Sequence, residues 1–186
     1  RHRGLSFMLV PLDAEGVQVR AIEQLDGETG FAEVFFDNVR VPVANRLGDE
    51  GSGFVAVMQN FVGERLALAF YGHATAEVAL ADALVYVGER TAFGRPIGQF
   101  QVNRHKLARM ATQIEAAKTL NYVLATRARR GERPVAEVAM AKNFSAQVAI
   151  DVCYEAVQLF GGMGYMRETR VERLSRDARL LPIGGG

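Results

Sequence analysis

A carboxylate set among apolar and aromatic side chains at helical spacing is a candidate general base, and the chain carries one at Glu64. At about 100° per residue, Val57, Phe61, Glu64, Leu68 and Tyr71 fall within an arc of roughly 80°. If that face is buried, loss of hydration raises the proton affinity of the carboxyl and makes it a better acceptor for a substrate proton. The spacing suits a glutamate paired with an arginine equally well, so periodicity leaves both readings open. A second cluster is Arg90-Thr-Ala-Phe-Gly-Arg-Pro96. Its guanidinium groups can grip phosphate and Phe93 can pack against a ring, although a plain helix terminus would read the same way. A third is Gln158-Leu-Phe-Gly-Gly-Met-Gly-Tyr165. Glycines directly after a helix allow close backbone approach and offer N–H donors to a pyrophosphate; a glycine-rich helix end is the alternative. They follow a helix with no βαβ unit around them, so this is not the doubly wound dinucleotide fingerprint. His2, His73, His105 and Cys153 share no metal-ligand spacing, and no metal site is expected.

These groups need elements to hold them. Residues 5–42 carry strand signals: Leu5–Val10, Val17–Ile22, Phe31–Phe36 and Val39–Pro42 are short runs rich in Val, Ile and Phe, separated by turn chemistry. So few strands close no core alone and look like the trailing part of a larger sheet. After Gly48-Asp-Glu-Gly-Ser-Gly53 the period changes to about 3.6. Helices are predicted over Phe54 to about Arg90, Gln99 to Arg130, Val135 to Phe160, and Arg167 to about Leu181, with Gly/Pro breaks between them. Short breaks favour antiparallel neighbours. The expected fold is therefore mainly α, a four-helix bundle over residues 48–186, preceded by the end of an incomplete β domain over residues 1–47. The chain opens in a strand-like run without methionine and stops in a glycine turn, which reads as part of a longer polypeptide.

Composition agrees with a globular chain. Of 186 residues, 49% are apolar and 23% charged, enough for a real core. A formal charge of +1 gives no global pull toward nucleic acid or an anionic membrane. No apolar run approaches the ~18 residues of a membrane span. The single cysteine, Cys153, suits a reducing compartment.

Taken in order and spacing, the motifs resemble one family. Phe35-Phe-Asp-Asn-Val-Arg-Val-Pro42, Gly48-Asp-Glu-Gly-Ser-Gly-Phe54, Glu64-Arg-Leu66, Glu89-Arg-Thr-Ala-Phe-Gly-Arg-Pro-Ile97, Gln99-Phe-Gln101, Gln158-Leu-Phe-Gly-Gly-Met-Gly-Tyr165, and Arg176-Asp-Ala-Arg179 leading to Pro182-Ile-Gly-Gly-Gly186 together look like the C-terminal half of an acyl-CoA dehydrogenase. The resemblance covers essentially the whole chain. It implies FAD bound between subunits, with Arg90, Phe93 and Gln101 on the adenosine and pyrophosphate end of one FAD. Gln158, Gly161 and Gly162 would serve the ADP part of another. It further implies a homo-oligomer, tetramer or dimer, and electron transfer to an electron-transfer flavoprotein.

The resemblance also bears on the base. Many members carry it in a Tyr-Glu-Gly-Thr segment after the last long helix, but here Gly185 stands where that glutamate would be. A minority, similar to isovaleryl-CoA and long-chain acyl-CoA dehydrogenases, places it on the first long helix in Glu-Arg-Leu, which is Glu64-Arg65-Leu66 here. Glu64 is thereby the expected base, with Phe61, Arg65, Tyr71 and Gly185 expected around the acyl-CoA. The implied reaction is α,β-dehydrogenation of an acyl-CoA thioester in the bacterial cytoplasm or the mitochondrial matrix. An acyl-CoA oxidase, a flavin monooxygenase or a non-catalytic helical scaffold of the same fold are the rivals.

Overall fold

A computed structural model describes residues 4–185; His2 and Gly186 lie outside the described residues. The chain forms two compact units, Arg1–Phe61 and Val62–Gly186.

In the first unit, β1 (Phe7–Met8) pairs antiparallel with β4 (Arg46–Leu47). β2 (Val17–Ile22) and β3 (Phe31–Phe36) form an antiparallel hairpin running from Val17 opposite Phe36 to Ile22 opposite Phe31. Both β2 and β3 match the sequence expectation because each is an unbroken run of strand formers bounded by Asp/Gly turns. The expected strand at Val39–Pro42 is absent. Asn38 takes a left-handed backbone (φ 51°) just after β3, and Pro42, which has no N–H to pair, leads into a 3-10 turn at Val43–Asn45. Pairing resumes at β4 instead. β1 is likewise shorter than Leu5–Val10.

The helices follow the predicted pattern. α1 spans Gly53–Glu89, α2 Gln101–Arg129, α3 Val135–Phe160 and α4 Arg170–Ala178. α4 is shorter than its predicted range because the chain tightens into successive turns before Pro182. A feature not expected from sequence joins α1 to α2. Thr91–Ala92 (β5) and Arg95–Pro96 (β6) form a minute hairpin whose corner is Phe93-Gly94.

The second unit owes its close packing to small side chains. On α1 the buried positions include Ala69, Ala76, Ala79 and Ala83, and on α3 Ala141, Ala146, Ala149 and Ala156. With so little side chain between them the backbones touch: a Cβ added at Gly72 would lie 2.7 Å from the Ser145 carbonyl oxygen. Any larger residue at 72 would force α1 and α3 apart. Two apolar clusters result. One holds Ala76, Met110, Ala146, Val152 and Val171; the other holds Ala69, Leu124, Val138 and Ala141.

Between them, on each of three helices, sits a buried polar residue: His73, Asn121 and Ser145. Asn121 Nδ2 lies 3.0 Å from the Ala69 carbonyl oxygen and 2.9 Å from His73 Nδ1, and Ser145 Oγ donates to Asn121 Oδ1 at 3.3 Å. Asn121 Nδ2 also lies 3.0 Å from Ser145 Oγ, and His73 Nδ1 lies 3.3 Å from the Ala69 carbonyl oxygen. The layer is closed on itself, so it fixes the register of three helices without leaving a polar atom unsatisfied.

Candidate functional site

The Glu64 site is built from α1, the terminal turn and α3. Glu64 and Arg65 leave α1 side by side. The side chain of Arg65 reaches the far end of the chain, where its Nε donates to the Gly185 carbonyl oxygen at 2.8 Å. Gly185 has φ +73°, a left-handed backbone that favours glycine, and a Cβ built there would lie 3.9 Å from Glu64 Oε1 and 2.6 Å from Leu68 Cδ1. The position that lacks a carboxylate and the position that has one are therefore neighbours in space.

Glu64 itself is exposed in the single chain, so the condition of a buried face is not met within it. Val57, Phe61 and Leu68 are only half-buried, and Tyr71 is 53% exposed. The stripe is apolar and only partly covered among the described residues. The open choice between a salt-bridged and an unpaired glutamate is nevertheless decided: among the described residues Glu64 makes no hydrogen bond or ion pair. A carboxylate with no partner inside its own chain is available to a substrate proton. Of the residues expected around the acyl-CoA, Arg65 and Gly185 are brought to Glu64. Tyr71 stands two turns further along α1, roughly 10 Å away along its axis. Phe61 is the last residue of the first compact unit.

Sequence reasoning missed Lys142. It lies on α3, 1% exposed, with Nζ donating to the Pro182 carbonyl oxygen at 3.4 Å. Burial and the neighbouring positive charge of Arg65 hold its pKa below that of an ordinary lysine. The signal was present in the periodicity: Val138, Lys142, Ser145, Ala149 and Val152 recur at helical spacing and are all buried. The arc argument that singled out Glu64 applies to Lys142 unchanged.

The second expected cluster lies in the α1–α2 connection. The Ile97 N–H donates to Arg90 O at 2.8 Å and Asn103 Nδ2 to Ile97 O at 2.8 Å, so the hairpin is fixed at its base. At its tip both Phe93 (φ 53°) and Gly94 (φ 79°) are left-handed. That is the type I′ pairing normally given to Asn-Gly, and an aromatic there is strained. Phe93 is also 94% exposed. Its ring meets only the edge of Phe100, with centroids 6.2 Å apart, so a bulky ring held outward on a strained corner favours contact with something the chain does not supply. Arg90 and Gln101 are exposed beside it in sequence, at the end of α1 and the start of α2.

The third cluster forms a 3-10 turn, Gly161–Tyr165, after α3. Tyr86 stacks on Phe160 (ring centroids 4.1 Å) and its hydroxyl donates to Phe160 O at 3.2 Å, pinning the end of α3 against α1. Gly161 takes φ +60° and its N–H donates to Gln158 O. This corrects the expectation of free donors: at Gly161 the glycine supplies room for approach, and its N–H is already engaged. A Cβ at Gly162 would meet nothing within 4 Å. Gln158 and Gly162 are exposed.

A guanidinium, two side-chain amides, an outward ring and an open glycine turn fit the phosphates, sugars and base of a dinucleotide such as FAD. Among the described residues no cluster of three or more His, Cys, Asp or Glu could hold a metal, and no helix is long and apolar enough to cross a membrane.

Comparison with known proteins identifies the family. Residues 51–186 match the family described as acyl-CoA dehydrogenase, C-terminal domain. Cyclohexane-1-carbonyl-CoA dehydrogenase of Geobacter metallireducens is 40% identical over 98% of this chain and 49% of its own length. A subunit of the caffeyl-CoA reductase–Etf complex of Acetobacterium woodii is 37% identical over 99% of this chain and 49% of its own length. Among solved structures, a probable acyl-CoA dehydrogenase from Mycobacterium abscessus superposes with a TM-score of 0.96 at 44% identity, over all of this chain and 50% of that one. The chain spans about half the length of the curated relatives it matches.

Proposed function

We propose, from the premise that the chain belongs to the acyl-CoA dehydrogenase family, that it supplies the catalytic base and much of the cofactor cradle of an enzyme that converts an acyl-CoA thioester to a trans-2-enoyl-CoA. Residues 1–47 belong to the end of a middle β domain and residues 48–186 to the C-terminal helical domain. The observation that carries the assignment is the unpartnered carboxylate of Glu64 beside Gly185.

In this reading Glu64 removes the proton from the α-carbon of the thioester. FAD, when bound, supplies the acceptor for the hydride that leaves the β-carbon. Backbone N–H in the Gly185 turn donates to the thioester carbonyl oxygen, where negative charge grows as the proton leaves. Arg65 holds that turn in place through the Gly185 carbonyl. The exposure of Glu64 in the single chain is reversed when substrate, cofactor and neighbouring protein cover the half-buried stripe. Water is then excluded and the carboxylate becomes a stronger base.

Arg90, Phe93 and Gln101 hold the adenosine and pyrophosphate end of one FAD, and Gln158, Gly161 and Gly162 the ADP part of another. Their exposure supports a cradle completed by a second copy, hence a homo-oligomer. Exposed Tyr122, Val123, Met140 and Tyr154 on α2 and α3 support the same reading. An electron-transfer flavoprotein is the proposed acceptor, supported by the Etf-linked relative. The free, buried thiol of Cys153 suits a reducing compartment such as the bacterial cytoplasm or the mitochondrial matrix.

The test is anaerobic addition of a panel of acyl-CoAs to the full-length holoprotein, following loss of oxidised-flavin absorbance. Wild type should bleach. Glu64→Gln should bleach more slowly by roughly 10²-fold or more, the scale of general-base catalysis. Equal rates would move the base elsewhere, and no bleaching with any thioester would reject the reaction.

A further inference from the structure

Lys142 is a buried cation that the proposed chemistry does not use. A lysine 1% exposed is unusual, because removing an ammonium from water costs far more than burying an apolar chain of equal size. Among the described residues it has no carboxylate partner; its ammonium is directed to the Pro182 carbonyl oxygen at 3.4 Å. Three residues further on, Arg65 Nε is bonded to the Gly185 carbonyl oxygen at 2.8 Å. Two cations from two different helices thus grip the two ends of one short turn. That turn packs on Leu68 and faces Glu64 Oε1. An apolar residue would fill the same space at lower cost, so stability does not account for the lysine.

We propose that Lys142 is a positioning residue for the Glu64 site: together with Arg65 it clamps the carbonyls of the 182–185 turn, and so fixes the backbone that faces the base. This rests on the reading of Glu64 and the turn given above. Within the turn the Ile183 and Gly184 N–H groups donate to Leu180 O, so among the described residues the Gly185 N–H is the one left to meet a thioester oxygen, and the clamp fixes the backbone that carries it. The clamp acts when charge builds on that oxygen and contributes little to holding the CoA.

The experiment compares wild type, Lys142→Met and Lys142→Gln in the full-length holoprotein. Two quantities are read: hydrogen exchange of the terminal turn, and anaerobic flavin reduction across acyl-CoA concentrations. In Lys142→Met, turn exchange should accelerate. The limiting reduction rate should fall by on the order of 10- to 100-fold, with half-saturation changed by less than about threefold. Lys142→Gln keeps a donor and should recover much of both. The proposal is overturned by slow reduction with unchanged turn exchange, by wild-type values of both in Lys142→Met, or by equal losses in both variants. If Lys142→Met does not accumulate as holoprotein, Lys142→Gln decides: wild-type-like exchange and rate uphold the clamp, and loss of both rejects it. Exchange of the turn is measured without substrate, so a wild type that fails to bleach rejects the dehydrogenase reading while the clamp is still judged by exchange.

Discussion

His73, Asn121 and Ser145 satisfy one another inside the bundle, whereas Glu64, two and a half turns earlier than His73 on α1, has no partner among the described residues. His73 and Glu64 are polar side chains on one helix. In the first case the hydrogen bonds run from α1 to α2 and from α2 to α3. In the second, the charges around the carboxylate are spent on backbone: Arg65 on Gly185 O and Lys142 on Pro182 O. The closed layer is architecture, and every group in it is accounted for. The open cluster keeps one group in reserve, and a reserved carboxylate next to fixed backbone is what a proton-transfer site requires.

The contrast can be broken from either side. Asn121→Leu should have the largest effect on stability, a loss of about 2–4 kcal/mol, because it strands His73 and Ser145 in an apolar interior. Differential scanning of the full-length holoprotein would read this, and flavin reduction per folded molecule should stay near wild type at low temperature. Gly185→Ala should cost about 1–2 kcal/mol, since a left-handed backbone penalises a Cβ. The added methyl also meets Leu68 Cδ1, although the tip of that side chain can shift. The same variant should slow flavin reduction, which Asn121→Leu should not. The smallest stability effect is expected from Glu64→Gln, within about 0.5 kcal/mol, because an exposed and unpaired carboxylate contributes little to the fold. A large loss of stability there would mean that Glu64 belongs to the architecture after all.

Much of this arrangement was legible before any coordinates. The helices declared themselves through long 3.6-residue periods ended by Gly131 and Pro134 or by Gly161, and β2 and β3 through unbroken strand formers. Val39–Pro42 misled because Val-Arg-Val alternates like a strand, while the left-handed Asn38 and the missing N–H of Pro42 divert the chain. The small hairpin at Thr91–Pro96 was hidden because Phe93 is not a residue that ordinarily takes a left-handed corner. Glu64 could be found from its own helix, but its lack of a partner could not. Neither could the closed layer, whose interhelical hydrogen bonds join residues 24 to 52 apart in sequence. Periodicity describes one helix at a time, and these bonds exist only between helices. The exposure of Glu64 stayed open for the complementary reason: an apolar stripe announces a contact without saying whether the partner lies in the same molecule.

The alanines along the buried edge of α1 carry a further consequence. At Gly72 α1 comes so close to α3 that even a methyl group would meet the Ser145 carbonyl oxygen, and Ala69, Ala76, Ala79 and Ala83 are fully buried along the same helix. A saturation library over this helix should therefore show an intolerant line at every third or fourth position, beside a broadly permissive outer face. Variation that retunes such a protein for new substrates would have to enter elsewhere, through its turns and its outer faces.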